Sequence, residues 1–400
     1  MSRGRTAATA VTPARWIAEA DELDAVVSGL AGVDVYAMDT EFHRERTYYP
    51  RLALVQIAWG NEVVLVDPLA VDVSALATVF GTDALVIMHA AGQDLEVLRH
   101  ATGAVPERMF DSQLAAGFLG MSSPSLTTLV EHYLGLRLPK GDRLTDWLAR
   151  PLGAAQRDYA AADVAHLIEL HRLLCAELED KGRMAWAEAE SEILRRRSRP
   201  VVDADDAWLR IKEVKHLRGQ TRGVAKELAG WRERMAQQAD QPVRFIMSDL
   251  ALVSIAQRSP SSATDLDGIR GIDGRHLRQP TLDAMLEAVE RGRSLDPAAL
   301  DPPAATSTSL ARELRPAVTL IAAWISQKAR DEELDQALLA TRGDVEALLR
   351  GDEDARLARG WRHELVGEPI RRLVEGRAAV AYEPGHGLVL EPRSGAPAAG

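Results

Sequence analysis

Two hydrophobic periods divide this chain. Residues 33–42 (VDVYAMDTEF) alternate apolar and polar positions and then run into carboxylates, as a strand leaving a sheet does. Residues 52–59 (LALVQIAW) and 63–67 (VVLVD) predict a hairpin turning at Gly60-Asn61, a pair suited to tight hairpin turns. The short apolar run 84–89 (ALVIMH) predicts a buried strand. Helical spacing then takes over at 93–102, 108–119 and 125–134, and in a long helix from 154 to about 180. A few strands followed by helices predict an α/β domain.

Beyond it, the run RRRSRP at 195–200 reads as a solvated linker, and a Pro/Ala/Ser/Thr-rich stretch at 294–309 reads as a second one. The pattern is wholly helical at 203–283, with a Gly-marked hairpin at 266–272, and helical again at 310–373. The expected plan is a disordered lead at 1–14, an α/β domain at 15–190, small helical domains at 203–283 and 305–375, and a low-order tail at 376–400. Four hundred residues fit such a multi-domain plan better than a single core.

Composition adds mainly exclusions. The longest uncharged stretch, 112–130, is interrupted throughout by Ser, Thr, Pro and Gly, so no membrane span is expected. The first residues carry arginines without an apolar segment, so a secretory signal is not expected and a cytoplasmic protein is. A single cysteine, Cys175, excludes an internal disulfide and a cysteine-based zinc site. Lys and Arg number 48 against 59 Asp and Glu, a net charge of −11, which argues against a generally basic nucleic-acid coat. Residues 193–234 nevertheless hold twelve basic and six acidic side chains, a local surplus of six. Arg210, Lys212 and Lys215 in that stretch are candidates for phosphate contacts, which position a strand without reading its sequence.

The candidate chemistry lies in carboxylates. Asp39 and Glu41 are two apart on a strand and so share a face. This spacing recurs at Asp94/Glu96, Asp331/Glu333 and Asp344/Glu346, so alone it says little. Asp94 follows a strand and a small-residue turn (HAAGQD), which places it in a helix's first turn at the sheet edge. Tyr159 and Asp163 are four apart on one helical face. Asp163 continues the stripe of Leu167, Leu170, Leu174 and Leu178, where a carboxylate is costly unless paired or metal-bound. Converging, these groups suit two divalent cations, Mg²⁺ or Mn²⁺, of the kind that stabilise both oxygens of a phosphoryl displacement. No phosphate-binding loop, dinucleotide fingerprint, HExxH or GxSxG is present, so no nucleotide cofactor is expected. Phe42 and Tyr48 are candidates for stacking on a terminal base.

In combination these motifs resemble the ribonuclease D family. The first, DTEF at 39–42 continued by RERTYYPRLALVQ at 44–56, is similar to that family's first exonuclease motif. HAAGQDL at 89–95 resembles the second, and YAAADV at 159–164 resembles the third in its tyrosine form. FDSQLAA at 110–116 and DWLARPL at 146–152 are also typical, and the resemblance covers roughly residues 33–180. It implies a ribonuclease H-like fold and a 3′→5′ exonuclease releasing nucleoside 5′-monophosphates. By the same resemblance, Asp39, Glu41 and Asp163 hold the first metal and its water, and Asp39, with Asp94 through water, places the second. Glu41 reaches the terminal 3′ hydroxyl and Tyr159 positions the nucleophile. Residues 203–283 resemble an HRDC domain, a small nucleic-acid-binding module, and the third block resembles a second one more weakly. The expected partner is RNA, a tRNA 3′ end by family resemblance, acted on by a monomer. A DNA exonuclease and a non-catalytic RNA-binding protein are the alternatives.

Overall fold

The computed structural model describes residues 13–139, 145–197, 203–274, 276, 278–300 and 310–393. Most of the expected lead at 1–14 therefore lies outside the described residues, as do the linker residues 198–202 and 301–309.

Six strands form one mixed sheet. They are β1 (Arg15–Ile17), β2 (Val35–His43), β3 (Arg51–Trp59), β4 (Glu62–Val66), β5 (Leu85–Met88) and β6 (Arg108–Asp111), in the order β1-β4-β3-β2-β5-β6. The antiparallel ladder β2-β3-β4 turns at Gly60-Asn61, where Gly60 takes a positive φ of 54°. β1, β5 and β6 add in parallel. Alternation on β2 sorts the two faces. Tyr36 and Met38 enter a core with Val55, Ile57, Val86 and the helix Asp94–Thr102. Ala37 turns to the opposite face, with Ala58, Ile87 and the buried leucine stripe of the helix Leu167–Asp180. Asp39 and Glu41 continue the Ala37 side, and Thr40 the Met38 side.

The structure corrects the pattern reading in four places. Residues 108–111 are strand β6 rather than the start of a helix. Four residues are too few to show a period, and they run directly into the apolar helix Ser112–Gly117. The long helix expected from 154 is two, Ala154–Ala165 and Leu167–Asp180, broken at His166 with φ −112° and ψ −3°. Hydrophobic spacing carries across that break, with Val164, Leu167 and Leu170 all buried, so the pattern hides it. Strand β1 lies upstream of the first strand the pattern predicts. The low-order tail contains a hairpin, β7 (Ala378–Glu383) and β8 (Gly387–Pro392), whose Val380, Leu388 and Leu390 pack on the large core. Its turn glycines, Gly385 and Gly387, sit at φ 90° and 82°.

The helical blocks join the α/β domain differently. The middle block centres on the helix Gly219–Ala239 and keeps its own core, to which Met285, Ala288 and Val289 of the helix Thr281–Ser294 contribute beyond residue 283. The C-terminal block, built on the helix Arg315–Asp331, shares one continuous core with the α/β domain. Trp361 stacks on Trp186 at 4.8 Å between centroids, within that core.

Candidate active site

Asp39 and Glu41 project from the end of β2 toward the helix Ala154–Ala165, which carries Tyr159 and Asp163 and packs on β2, β3 and β4. Carboxylate oxygens of Asp39, Glu41 and Asp163 all lie within 4.8 Å of one another. Asp94 arrives from the other face. It opens the helix Asp94–Thr102 after β5, and the Thr40 hydroxyl donates to its Oδ1. Asp94 thus stands beside the trio rather than inside it, yet its charge bears on both Asp39 and Glu41. The Tyr159 hydroxyl bonds to the Asp163 carboxylate, and its ring lies 6.1 Å from that of Trp147.

A local backbone irregularity shapes the mouth. Glu41 pairs with Leu54 but Phe42 pairs with Leu52, so Ala53 is an extra residue in β3. Its carbonyl accepts from Arg150 Nη2 at 2.6 Å, and the same guanidinium grips both Asp67 oxygens at 2.7 and 2.8 Å. Burial alone raises an acid at Asp67, but these hydrogen bonds outweigh it and hold the carboxyl below its ordinary value. This fork fixes the segment bearing Trp147 against the sheet.

The electrostatics of the cluster are those of a site short of positive charge. Burial first, then Asp163 and Asp94, pushes Glu41 up to about 8. Burial raises Asp163 to about 7 against the pull of the Tyr159 hydrogen bond. It raises Asp94 to about 6 against that of Thr40. Asp39, enclosed and facing all three other carboxylates, is raised well above the usual range. Burial and the neighbouring acids also push the Tyr159 phenol up, so it stays a proton donor at neutral pH. Crowded, dehydrated carboxylates repel one another, and a divalent cation removes both penalties. The donors are oxygen only, which suits a hard cation rather than zinc.

The structure therefore brings Asp39, Glu41, Asp94, Tyr159 and Asp163 together. The other candidates lie elsewhere. Phe42 is half-buried and packs toward the Met38-side core. Tyr48 lies where the middle block docks: its hydroxyl donates to Glu233 at 2.5 Å and accepts from Gln237 at 3.1 Å. Arg210 is exposed and lines a cavity of about 510 Å³ between the α/β domain and the middle block, with Arg44, Tyr49, Arg99 and His100. Lys212 is exposed, and the side chain of Lys215 lies outside the described set.

Sequence reasoning passed over two residues that build the site. Thr40, between the two strand carboxylates, faces the other way and holds Asp94. Asp111 caps the helix Ser112–Gly117 through the Gln113 and Leu114 amides. It also accepts from Ala90 at 3.2 Å and Ala91 at 2.8 Å, fixing the turn ahead of Asp94. Ala90 there has a φ of 57°, a left-handed conformation that this carboxylate supports. The D-S-x-L pattern before an apolar helix was the available signal for Asp111. His89, beside that turn, bonds Ser112 at 3.0 Å and is packed.

Comparison with known proteins follows the same division of the chain. The profile of a family described as 3′-5′ exonuclease matches residues 14–179, and that of the HRDC domain matches residues 221–289. Ribonuclease D of Zymomonas mobilis is 36% identical over 375 residues, covering 92% of this chain and 96% of that protein. Ribonuclease D of Escherichia coli is 33% identical over 365 residues, 89% of this chain and 96% of its own. The crystal structure of E. coli RNase D, described as an exoribonuclease involved in structured RNA processing, superposes with a TM-score of 0.83. It does so at 32% identity over 91% of this chain and 99% of that one.

Proposed function

The chain belongs to the ribonuclease D family, and from that premise we propose that it trims the 3′ ends of structured RNA such as tRNA precursors, releasing nucleoside 5′-monophosphates. The observation that supports this most is the trio Asp39, Glu41 and Asp163 within 4.8 Å, with Asp94 beside it and the Tyr159 hydroxyl bonded to Asp163. Asp39, Glu41 and Asp163 would hold one divalent cation, and Asp39, with Asp94 through water, a second, Mg²⁺ or Mn²⁺. Bound there, such ions stabilise charge on the attacking and leaving oxygens of a phosphodiester. Tyr159 keeps its proton and orients water at the Asp163 end of the cluster. Glu41, on the outer position of the same strand face, reaches the terminal 3′ hydroxyl. The two strand carboxylates are fixed by the β2-β3 ladder, so the site is held in place before substrate arrives.

The helical blocks fit the role of holding RNA. The middle one belongs to the HRDC type, and we assign the C-terminal one to a second module of that kind. Among the described residues no helix is long and apolar enough to cross a membrane. A monomer acting in the cytoplasm is the form this reading takes.

The test is a time course on a 3′-extended tRNA labelled at its 5′ end, with Mg²⁺, Mn²⁺ or EDTA, beside a matched DNA strand. A metal-dependent ladder shortened from the 3′ end is expected on RNA, and its loss in Asp39→Asn and Asp163→Asn. An intact label in every lane with RNA still bound overturns the catalytic reading. Equal digestion of DNA overturns the substrate class.

A further inference from the structure

Gln56 is fully buried, and among the described residues neither its Nε2 nor its Oε1 has a hydrogen-bond partner. It lies on β3 directly in register with Asp39 on β2. Directly paired residues of an antiparallel ladder leave the sheet on the same face, close enough to touch. That face is the one covered by the helix bearing Tyr159 and Asp163. Its neighbours two positions away on β3, Leu54 and Ala58, are buried and apolar. Among the described residues the buried Tyr36 hydroxyl also has no partner, but it belongs to the opposite core, away from the carboxylates.

An unpaired carboxamide in such a place costs stability that a methionine or leucine of similar size would not. Among the described residues no protein group partners this amide, although its register places it beside the Asp39 carboxylate. Its chemistry matches what an ion-loaded cluster presents. A deprotonated carboxylate needs donors, which the amide N–H groups are, and water held among carboxylates needs an acceptor for its outward proton, which Oε1 is.

We propose that Gln56 is a positioning residue of the metal centre: its amide donates to the Asp39 carboxylate and accepts from water held at the cluster. The inference rests on the metal-dependent reading of the site given above. Groups that orient ligating carboxylates in this way carry much of a site's affinity without touching the ion.

The experiment compares the full-length wild type with Gln56→Met and Gln56→Leu by calorimetric Mn²⁺ titration, metal-free thermal unfolding, and kcat and KM on RNA. The expected result is a metal-free melting temperature equal to or above wild type, since an orphaned polar group is removed. Mn²⁺ binding is expected to weaken by about 10–100-fold. The kcat falls with it, and KM for RNA stays near wild type. Wild-type Mn²⁺ affinity in both variants overturns the proposal and leaves the amide a packing group. A large fall in the metal-free melting temperature overturns it as well, because the amide then has a structural partner without metal. If the wild type itself takes up no Mn²⁺, the metal reading of the site fails first and this inference falls with it.

Discussion

Tyr159 shows how much of this site depends on a single proton. Its phenol is held above the usual range by burial and then by Asp163, Glu41 and Asp39. At neutral pH it therefore donates a hydrogen bond and does not act as a base. Replacing it with phenylalanine keeps the ring, which lies against Trp147, and removes only the hydroxyl. The loss falls on the arrangement of water in the transition state rather than on contacts with the strand. Tyr159→Phe is expected to lower kcat by about 100-fold, the scale of losing one oriented donor. RNA affinity should stay unchanged. Single-turnover rates set beside filter binding check this, and a variant that binds weakly but turns over normally contradicts the role.

At the scale of elements, the cluster pulls against the sheet and helices that carry it. The ordinary values of 3.8 for Asp163 and 4.5 for Glu41 become about 7 and about 8 in the folded chain. A carboxyl raised on folding binds more protons in the native than in the unfolded state between those values. Its contribution to stability is therefore full below the unfolded value and is lost as pH rises through the folded one. His89, His166 and His171 are lowered by burial from 6.5 and act in the opposite direction, but only below that value. Between about pH 6.5 and pH 8, then, the metal-free protein should lose stability as pH rises. Saturating Mn²⁺ should flatten or reverse that slope, because it binds the deprotonated carboxylates. Thermal unfolding at the two pH values, with and without Mn²⁺, checks both halves; a metal-free slope of zero removes the cluster's strain.

The elements also show what could be read in advance. Strands β2 to β5 and the carboxylates at their ends were legible because alternation and side-chain chemistry are local properties. β6 was hidden because four residues show no period, and the break at His166 because the leucine stripe crosses it undisturbed. The hairpin at 378–392 lay under a Gly- and Ala-rich composition, and only its contact with the distant core gives it a reason to form. Thr40 and Gln56 act across the sheet, through partners far away in sequence. Spacing along one strand does not reveal such pairs.

At the scale of the whole molecule, the two helical blocks are attached by different physics. The C-terminal block shares its apolar core with the α/β domain. At that junction the buried Glu190 binds both Arg362 and Arg356, and Arg183 donates to the carbonyls of Phe118, Glu332 and Glu333. Separating these surfaces exposes hydrophobic area and an unpaired buried charge together. The middle block closes its own core and docks through polar contacts. Tyr48 bonds Glu233 and Gln237, and Asp240 accepts from the amides of Tyr48 and Tyr49, each at 3.1 Å. This junction should open first. Tyr48→Phe leaves the nearly buried Glu233 carboxylate without its hydroxyl donor, a loss of about 1.5–3 kcal/mol for a hydrogen bond to a charged group. Hydrogen exchange is expected to speed at the Tyr48 and Tyr49 amides while protection within the helix Gly219–Ala239 persists, since that core is its own. Solution scattering should show a more extended particle, and the C-terminal block should stay protected. Affinity for structured RNA should fall with kcat on a short single strand unchanged, because the five site residues lie outside this contact. If unfolding of the whole chain accompanies the exchange, the middle block is not an independent unit and its polar docking does not govern RNA access to the site.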